Sequence, residues 1–197
     1  MIKRPLIHMA LLGGGLLLAA TAQAETPCAE MLAYTCVGCH GTNGVSAGPA
    51  TPSIAGISEE YFIENMQGYA SGDIPSTIMG RIAKGYSEDE IQALAGFFSG
   101  QTFVAAAQDS DPALAKKGAK LHDKYCEKCH AEGGTSAEDD SGILAGQWTP
   151  YLAWTLADYH SGDREATKKM AKQLKKMKKK TGDEGTTQIL NYYAGQQ

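Results

Sequence analysis

Beyond residue 24 the chain has no apolar run long enough to span a bilayer, so that part holds no membrane-spanning helix. No stretch alternates apolar and polar residues as a half-buried strand would, which argues against a sheet. Aromatic residues make up 8% of the chain, and none interleaves the lysines of the tract between Lys168 and Lys180. With a net charge of −4, that speaks against a nucleic-acid surface. Basic residues are scarce in the first half. Residues 25–110 carry ten acidic and two basic side chains, whereas residues 111–197 carry twelve and fourteen. The halves therefore present different fields to partners. Cysteine is scarce as well, with five residues in 197.

Four of those five stand in two pentapeptides, Cys36-Val37-Gly38-Cys39-His40 and Cys126-Glu127-Lys128-Cys129-His130. Cys-x-x-Cys-His is the attachment signature of c-type haem. Two thiols two residues apart reach two vinyl groups on one porphyrin edge, and the next residue lies under the iron. The pattern predicts covalent haem at Cys36, Cys39, Cys126 and Cys129, with His40 and His130 as proximal ligands. A thioredoxin-like thiol pair would need a βαβ surround, which is absent. A zinc site made from both motifs would leave the histidines unexplained. Cys28, the odd cysteine, reads as an exposed thiol.

The start of the chain differs from the rest. Met1-Ile2-Lys3-Arg4 is basic, Leu11 to Ala20 is apolar, and Thr21-Ala22-Gln23-Ala24 ends in small residues. That order predicts a secretory leader cut after Ala24 and an exported, periplasmic protein.

The second motif begins 90 residues after the first, and much else recurs at that offset. Ile54-Ala55-Gly56 falls on Leu144-Ala145-Gly146, Tyr61 on Tyr151, and Tyr69-x-Ser71-Gly72-Asp73 on Tyr159-x-Ser161-Gly162-Asp163. Phe97-Phe98 matches Tyr192-Tyr193 at an offset of 95. The chain thus reads as a duplication, with domains at 25–103 and 104–197. Helix signals dominate both halves. Ser58 caps an acidic first turn, Ser87 and Glu90 form a capping box, and Ile91, Leu94, Ala95 and Phe98 share a face. Thr149-Pro150 reads as a cap followed by proline. The glycine-rich segments 41–52 and 132–146 read as loops around the haem edge.

A methionine opposite each histidine would make an electron-transfer centre. Met79 lies 39 residues after His40, and Met170 lies 40 after His130. The match selects Met79 and Met170 as axial ligands. Met66 reads as a core residue, and Met177 as a partly exposed member of the lysine tract. His122 and His160 have no counterparts in the first half and read as surface or propionate-side histidines. Pro52 and Gly142, each 12 residues after a proximal histidine, are placed to offer it a carbonyl. Glycine leaves the second loop less rigid there. The lysines from Lys168 to Lys180 surround Met170, which admits both a solvated face and a docking ring for an acidic partner.

The paired motifs and the repeat are similar to the class I diheme cytochromes c. Three longer stretches, Ser76 to Ser87, Leu121 to His130 and Ile143 to Tyr151, resemble the cytochrome subunits of flavocytochrome c sulfide dehydrogenases. The resemblance implies an all-α fold of two tandem cytochrome c domains, each around one covalent haem, with propionates facing across a pseudo-twofold interface. It implies an FAD-containing partner that oxidises sulfide, so that this chain is no enzyme on its own. Electrons would pass from flavin to the first haem, to the second, and on to a soluble acceptor docking near Lys168–Lys180. The runner-up is a free-standing diheme shuttle to a terminal oxidase. A diheme peroxidase would need an open iron face, which the matched Met79 and Met170 argue against.

Overall fold

The computed structural model describes residues 27–136 and 141–197. The leader expected over residues 1–24 lies outside them, as do residues 137–140 of the second loop. Among the described residues every regular element is helical, and there is no strand.

In the first half, α1 (Ala29–Ala33) runs through a 3₁₀ turn into α2 (Val37–His40), so the first pentapeptide is itself coiled. Next comes α3 (Glu59–Ser71). The hydroxyl of Ser58 accepts the Tyr61 N–H at 3.1 Å, and Glu59 and Glu60 sit at the positive end of the helix. The short α4 (Met79–Ile82) precedes α5 (Glu88–Ser99), which opens on the expected capping box of Ser87 and Glu90. Its predicted face, Ile91, Leu94, Ala95 and Phe98, is buried against α1 and α3.

The first helix after residue 104 starts at Pro112. Asp111 Oδ1 accepts the N–H groups of Ala113 (2.7 Å) and Leu114 (3.1 Å), and Pro112 opens α6 (Pro112–Tyr125). A single turn, α7 (Ala131–Gly134), follows the second motif. Then come α8 (Thr149–Ser161) and α9 (Lys168–Ala194), broken at Gly182, where φ is +61°. Both α6 and α8 pack on α9. One cap differs from expectation. Thr149 lies inside the first turn of α8, and Trp148 is the capping residue. Gln108 makes a threonine cap unnecessary, because its Oε1 accepts both the N–H (3.0 Å) and the hydroxyl (2.9 Å) of Thr149.

The duplication extends to individual hydrogen bonds. The Gly44 carbonyl accepts from Ile54 N (2.8 Å) and Ala55 N (3.2 Å), and that of Gly134 from Leu144 N and Ala145 N (both 2.9 Å). The Gly56 N–H donates to the Phe98 carbonyl at 2.8 Å, as Gly146 does to Tyr193 at 2.9 Å. Ser71 bonds the Asp73 carboxylate and Ser161 that of Asp163, both at 2.7 Å.

The halves meet across a polar seam. Gln147, buried, accepts the Ser53 N–H on Oε1 and donates through Nε2 to the Ser53 carbonyl, both at 2.9 Å. Trp148 donates from Nε1 to the Ser46 carbonyl at 3.1 Å, and its ring lies where a side chain on Gly48 would be. Gln147→Ala leaves two buried main-chain groups of Ser53 unpaired, an expected cost of about 2 kcal/mol. A lowered urea midpoint with native helicity unchanged would show that the seam, and not either core, bears the loss.

Candidate functional site

The two histidines expected to be proximal ligands, His40 and His130, are anchored alike. His40 Nδ1 lies 2.9 Å from the Pro52 carbonyl, and His130 Nδ1 lies 3.2 Å from that of Gly142. Both acceptors are those the 12-residue spacing predicted. An Nδ1–H given to a carbonyl leaves the Nε2 lone pair free for a metal. Burial pushes the His40 pKa below its ordinary value, with the Pro52 bond opposing, so the ring is neutral at neutral pH.

All five cysteines are free, and Cys28 is exposed, as read from the sequence. Burial raises the Cys36 thiol and pushes that of Cys126 up to about 11. A raised pKa disfavours the free thiolate that a reactive dithiol would use. Among the described residues, no three histidine, cysteine or acidic side chains come close enough to hold a metal ion.

In the second half Cys126, Cys129, His130, Met170 and Met177 all line one cavity of about 770 Å³. Leu152, Leu156 and Ile189 supply apolar walls, and Pro52, Ile54 and Tyr61 reach in from the first half. A large apolar slot with two thiols, an Nδ1-anchored imidazole and thioethers fits haem c. In the first half Cys36 and Met79 pack against one core cluster, and His40 is buried nearby in sequence on α2. Met66 sits inside that core, as expected.

Two expectations are corrected. Met177 is not a partly exposed member of the lysine tract. It is 2% exposed, because it stands two turns beyond Met170 on the inward face of α9. Nor is His122 at the surface; it is fully buried. Its Nδ1 lies 3.0 Å from the Tyr193 hydroxyl, and its Nε2 lies 2.5 Å from Glu127 Oε2. These partners satisfy both ring nitrogens. His160 is exposed, as expected.

The second loop is also less free than its glycine implies. A Cβ on Gly142 would lie 2.8 Å from the ring of Tyr61, so tyrosine packing takes the place of proline stiffness. Gly142→Ala should push Tyr61 or the Gly142 carbonyl aside at about 1–3 kcal/mol. Loss of the His130 contact would read out as a changed axial-imidazole signature confined to that half.

Sequence reading missed a second feature of the junction. Arg164 is 7% exposed, donates to Asn65 Oδ1 at 2.6 Å, and lies 5.2 Å from the Tyr159 ring centre. Burial opposes its charge, but the surrounding hydroxyls of Tyr159, Tyr61, Tyr151 and Tyr69 raise its pKa and keep it cationic. The signal was available, since Arg164 takes the place of Ile74. The lysines from Lys168 to Lys180 are all exposed, and Lys168, Lys169, Lys172 and Lys176 line the cavity that holds Met170.

No protein-family model matches the chain. Cytochrome c4 of Stutzerimonas stutzeri is 32% identical over 148 residues, 66% of this chain and 69% of its own. The cytochrome subunit of sulfide dehydrogenase of Chlorobaculum tepidum is 45% identical over 69 residues, 35% of this chain and 62% of its own. The crystal structure of reduced cytochrome c4 from Pseudomonas stutzeri superposes with a TM-score of 0.73 at 26% identity, covering 86% of this chain and 97% of that one. Tandem helical units of this kind define a class, the diheme class I cytochromes c. The chain belongs to the cytochrome c4 family, and its cofactors are two haem c groups.

Proposed function

We propose that this chain is the diheme electron-transfer subunit of a sulfide-oxidising flavoprotein complex. The observation that carries the reading is the 45% identity over 69 residues to a sulfide dehydrogenase cytochrome subunit, well above the 32% over 148 residues to a cytochrome c4. We assign covalent attachment to Cys36, Cys39, Cys126 and Cys129, and iron ligation to His40 with Met79 and to His130 with Met170. The coiled first motif, the Nδ1 anchors and the cavity in the second half support that assignment.

When bound, each haem supplies reversible one-electron chemistry. The chain's own residues do the rest. His40 and His130 present Nε2 in a fixed orientation. Leu152, Leu156 and Ile189 keep water from the second site. Gln147 and Trp148 tie the two halves, and so the two sites, to each other. The exposed lysines of α9 steer an acidic acceptor, while the acidic first half faces an FAD-containing partner. The leader places the chain in the periplasm after cleavage at Ala24. Division into 25–103 and 104–197 accords with Phe103 packing on the first core and the Ala106 N–H bonding the Gly146 carbonyl at 2.7 Å.

Untagged purification from the native host tests the reading. Co-elution with a flavoprotein whose sulfide reduction passes electrons to this chain supports it. A second reading, a free-standing diheme shuttle, is favoured by similarity to cytochromes c4 that spans both halves. Elution alone, with rapid re-oxidation by a terminal oxidase, would select it.

A further inference from the structure

Three positions change together between the halves. Leu32, Val37 and Phe98 of the first become His122, Glu127 and Tyr193 of the second, at offsets of 90, 90 and 95. In the first half Leu32 and Phe98 are buried in the apolar core. In the second, all three are joined by hydrogen bonds. Tyr193 meets His122 Nδ1 at 3.0 Å, and His122 Nε2 meets Glu127 Oε2 at 2.5 Å. The Glu127 carboxylate also accepts main-chain N–H groups from Glu132 and Gly133, each at 3.1 Å. Those two residues have φ of +55° and +71°, which turns their N–H groups toward one acceptor. The His122 carbonyl accepts the N–H groups of Cys126 (2.8 Å) and Glu127 (2.9 Å). The polar chain therefore ends on the attachment loop itself.

Haem ligation uses none of these side chains, and a buried polar network earns no stability over the apolar set it replaces. The first half demonstrates that the same motif folds without it. What the network adds is a carboxylate held in one place between Cys126 and Cys129. Val37 puts no charge at the corresponding point. A fixed negative charge beside an iron favours the oxidised, more positive state. Three hydrogen bonds fix this half-exposed carboxylate in one position beside the attachment loop, so that its charge is screened in part by solvent but does not move away.

We propose that Glu127, held by His122, Tyr193 and the α7 turn, is a potential-setting residue that lowers the electron affinity of the second haem relative to the first. The proposal rests on attachment at Cys126 and Cys129. Glu127 acts through the field at the iron, and His122 and Tyr193 are positioning residues.

The test is a potentiometric titration of the full-length diheme protein, each haem followed by its own hyperfine-shifted methyl resonances. Glu127→Gln keeps an acceptor for the α7 N–H groups and removes the charge. It should raise the electron affinity of the second haem about threefold, or about 30 mV at 59 mV per tenfold for one electron, with the first unchanged. Glu132→Gln, which removes an exposed carboxylate from the same turn, should give less than half that shift. The triple change His122→Leu, Glu127→Val, Tyr193→Phe reproduces the first-half set and should shift the second haem in the same direction as Glu127→Gln. Equal shifts in both haems, no shift, or an equal effect of Glu132→Gln would overturn the proposal. A wild-type protein carrying haem only at Cys36 and Cys39 would instead overturn the attachment assignment.

Discussion

Changing Cys126 and Cys129 together to alanine should remove one haem of two and unfold the second half, while the first keeps its haem and its helices. The asymmetry follows from the cores. Eleven buried residues form the first cluster, among them Phe62, Leu94 and Phe98, and Ile143 joins it from the second half. The second cluster has five, Leu152, Leu174, Met177, Ile189 and Tyr193, arranged around the cavity of about 770 Å³. A unit of that size holds only a few kcal/mol, so losing the group it is built around should cost it at least about 3 kcal/mol. Cys36→Ala with Cys39→Ala should be milder, leaving the first half loosened but helical, because α1 and α3 both pack on α5. Haem stoichiometry by pyridine haemochrome and residual helicity by circular dichroism read both outcomes. Equal unfolding in the two variants would refute the assignment of unequal cores.

Why so much of this was visible beforehand can be traced to particular residues. Covalent attachment demands a short, fixed pattern, so Cys36–His40 and Cys126–His130 announce themselves. Duplication then supplied a second copy of each local signal, and Ser58 and Ser87 cap where their types and neighbours predict. Spacing alone found the carbonyls of Pro52 and Gly142. What failed were residues judged by their own chemistry without the partners that packing brings. His122 read as a surface histidine because Tyr193 lies 71 positions away, and only the fold puts its hydroxyl on Nδ1. Met177 read as exposed because eight lysines share its helix, yet the 3.6-residue period turns Leu174 and Met177 inward while the lysines face out. Gln108 displaced the threonine cap by a contact 41 residues distant. The His122 and Thr149 misses are long-range bonds overriding a local rule, the Met177 miss is a helical period hidden by its lysine neighbours, and all three lie in the second half.

The sharper test concerns Met170. It and Met177 line the same cavity, seven residues apart on one helix, so either thioether faces the site. The lengths of chain after the two histidines favour Met170, since 40 residues match the 39 of the first half. Met170→Leu should preserve the fold, because the swap nearly conserves volume and costs under about 1.5 kcal/mol. It should abolish the thioether charge-transfer band of one haem of two. It should also lower that haem's potential on the order of 100 mV, because axial ligand identity is the largest lever on haem potential. Met177→Leu should leave band and potential in place and register only as a small loss of stability, since Met177 fills the gap between Leu174 and Ile189. If Met177→Leu removes the band and Met170→Leu does not, the ligand lies one heptad further along α9, and the matched spacing of the two halves misled. If neither does, a histidine is the second ligand. Of the two histidines without a first-half counterpart, His122 is fully bonded to Tyr193 and Glu127. The exposed His160 would then be the residue to replace.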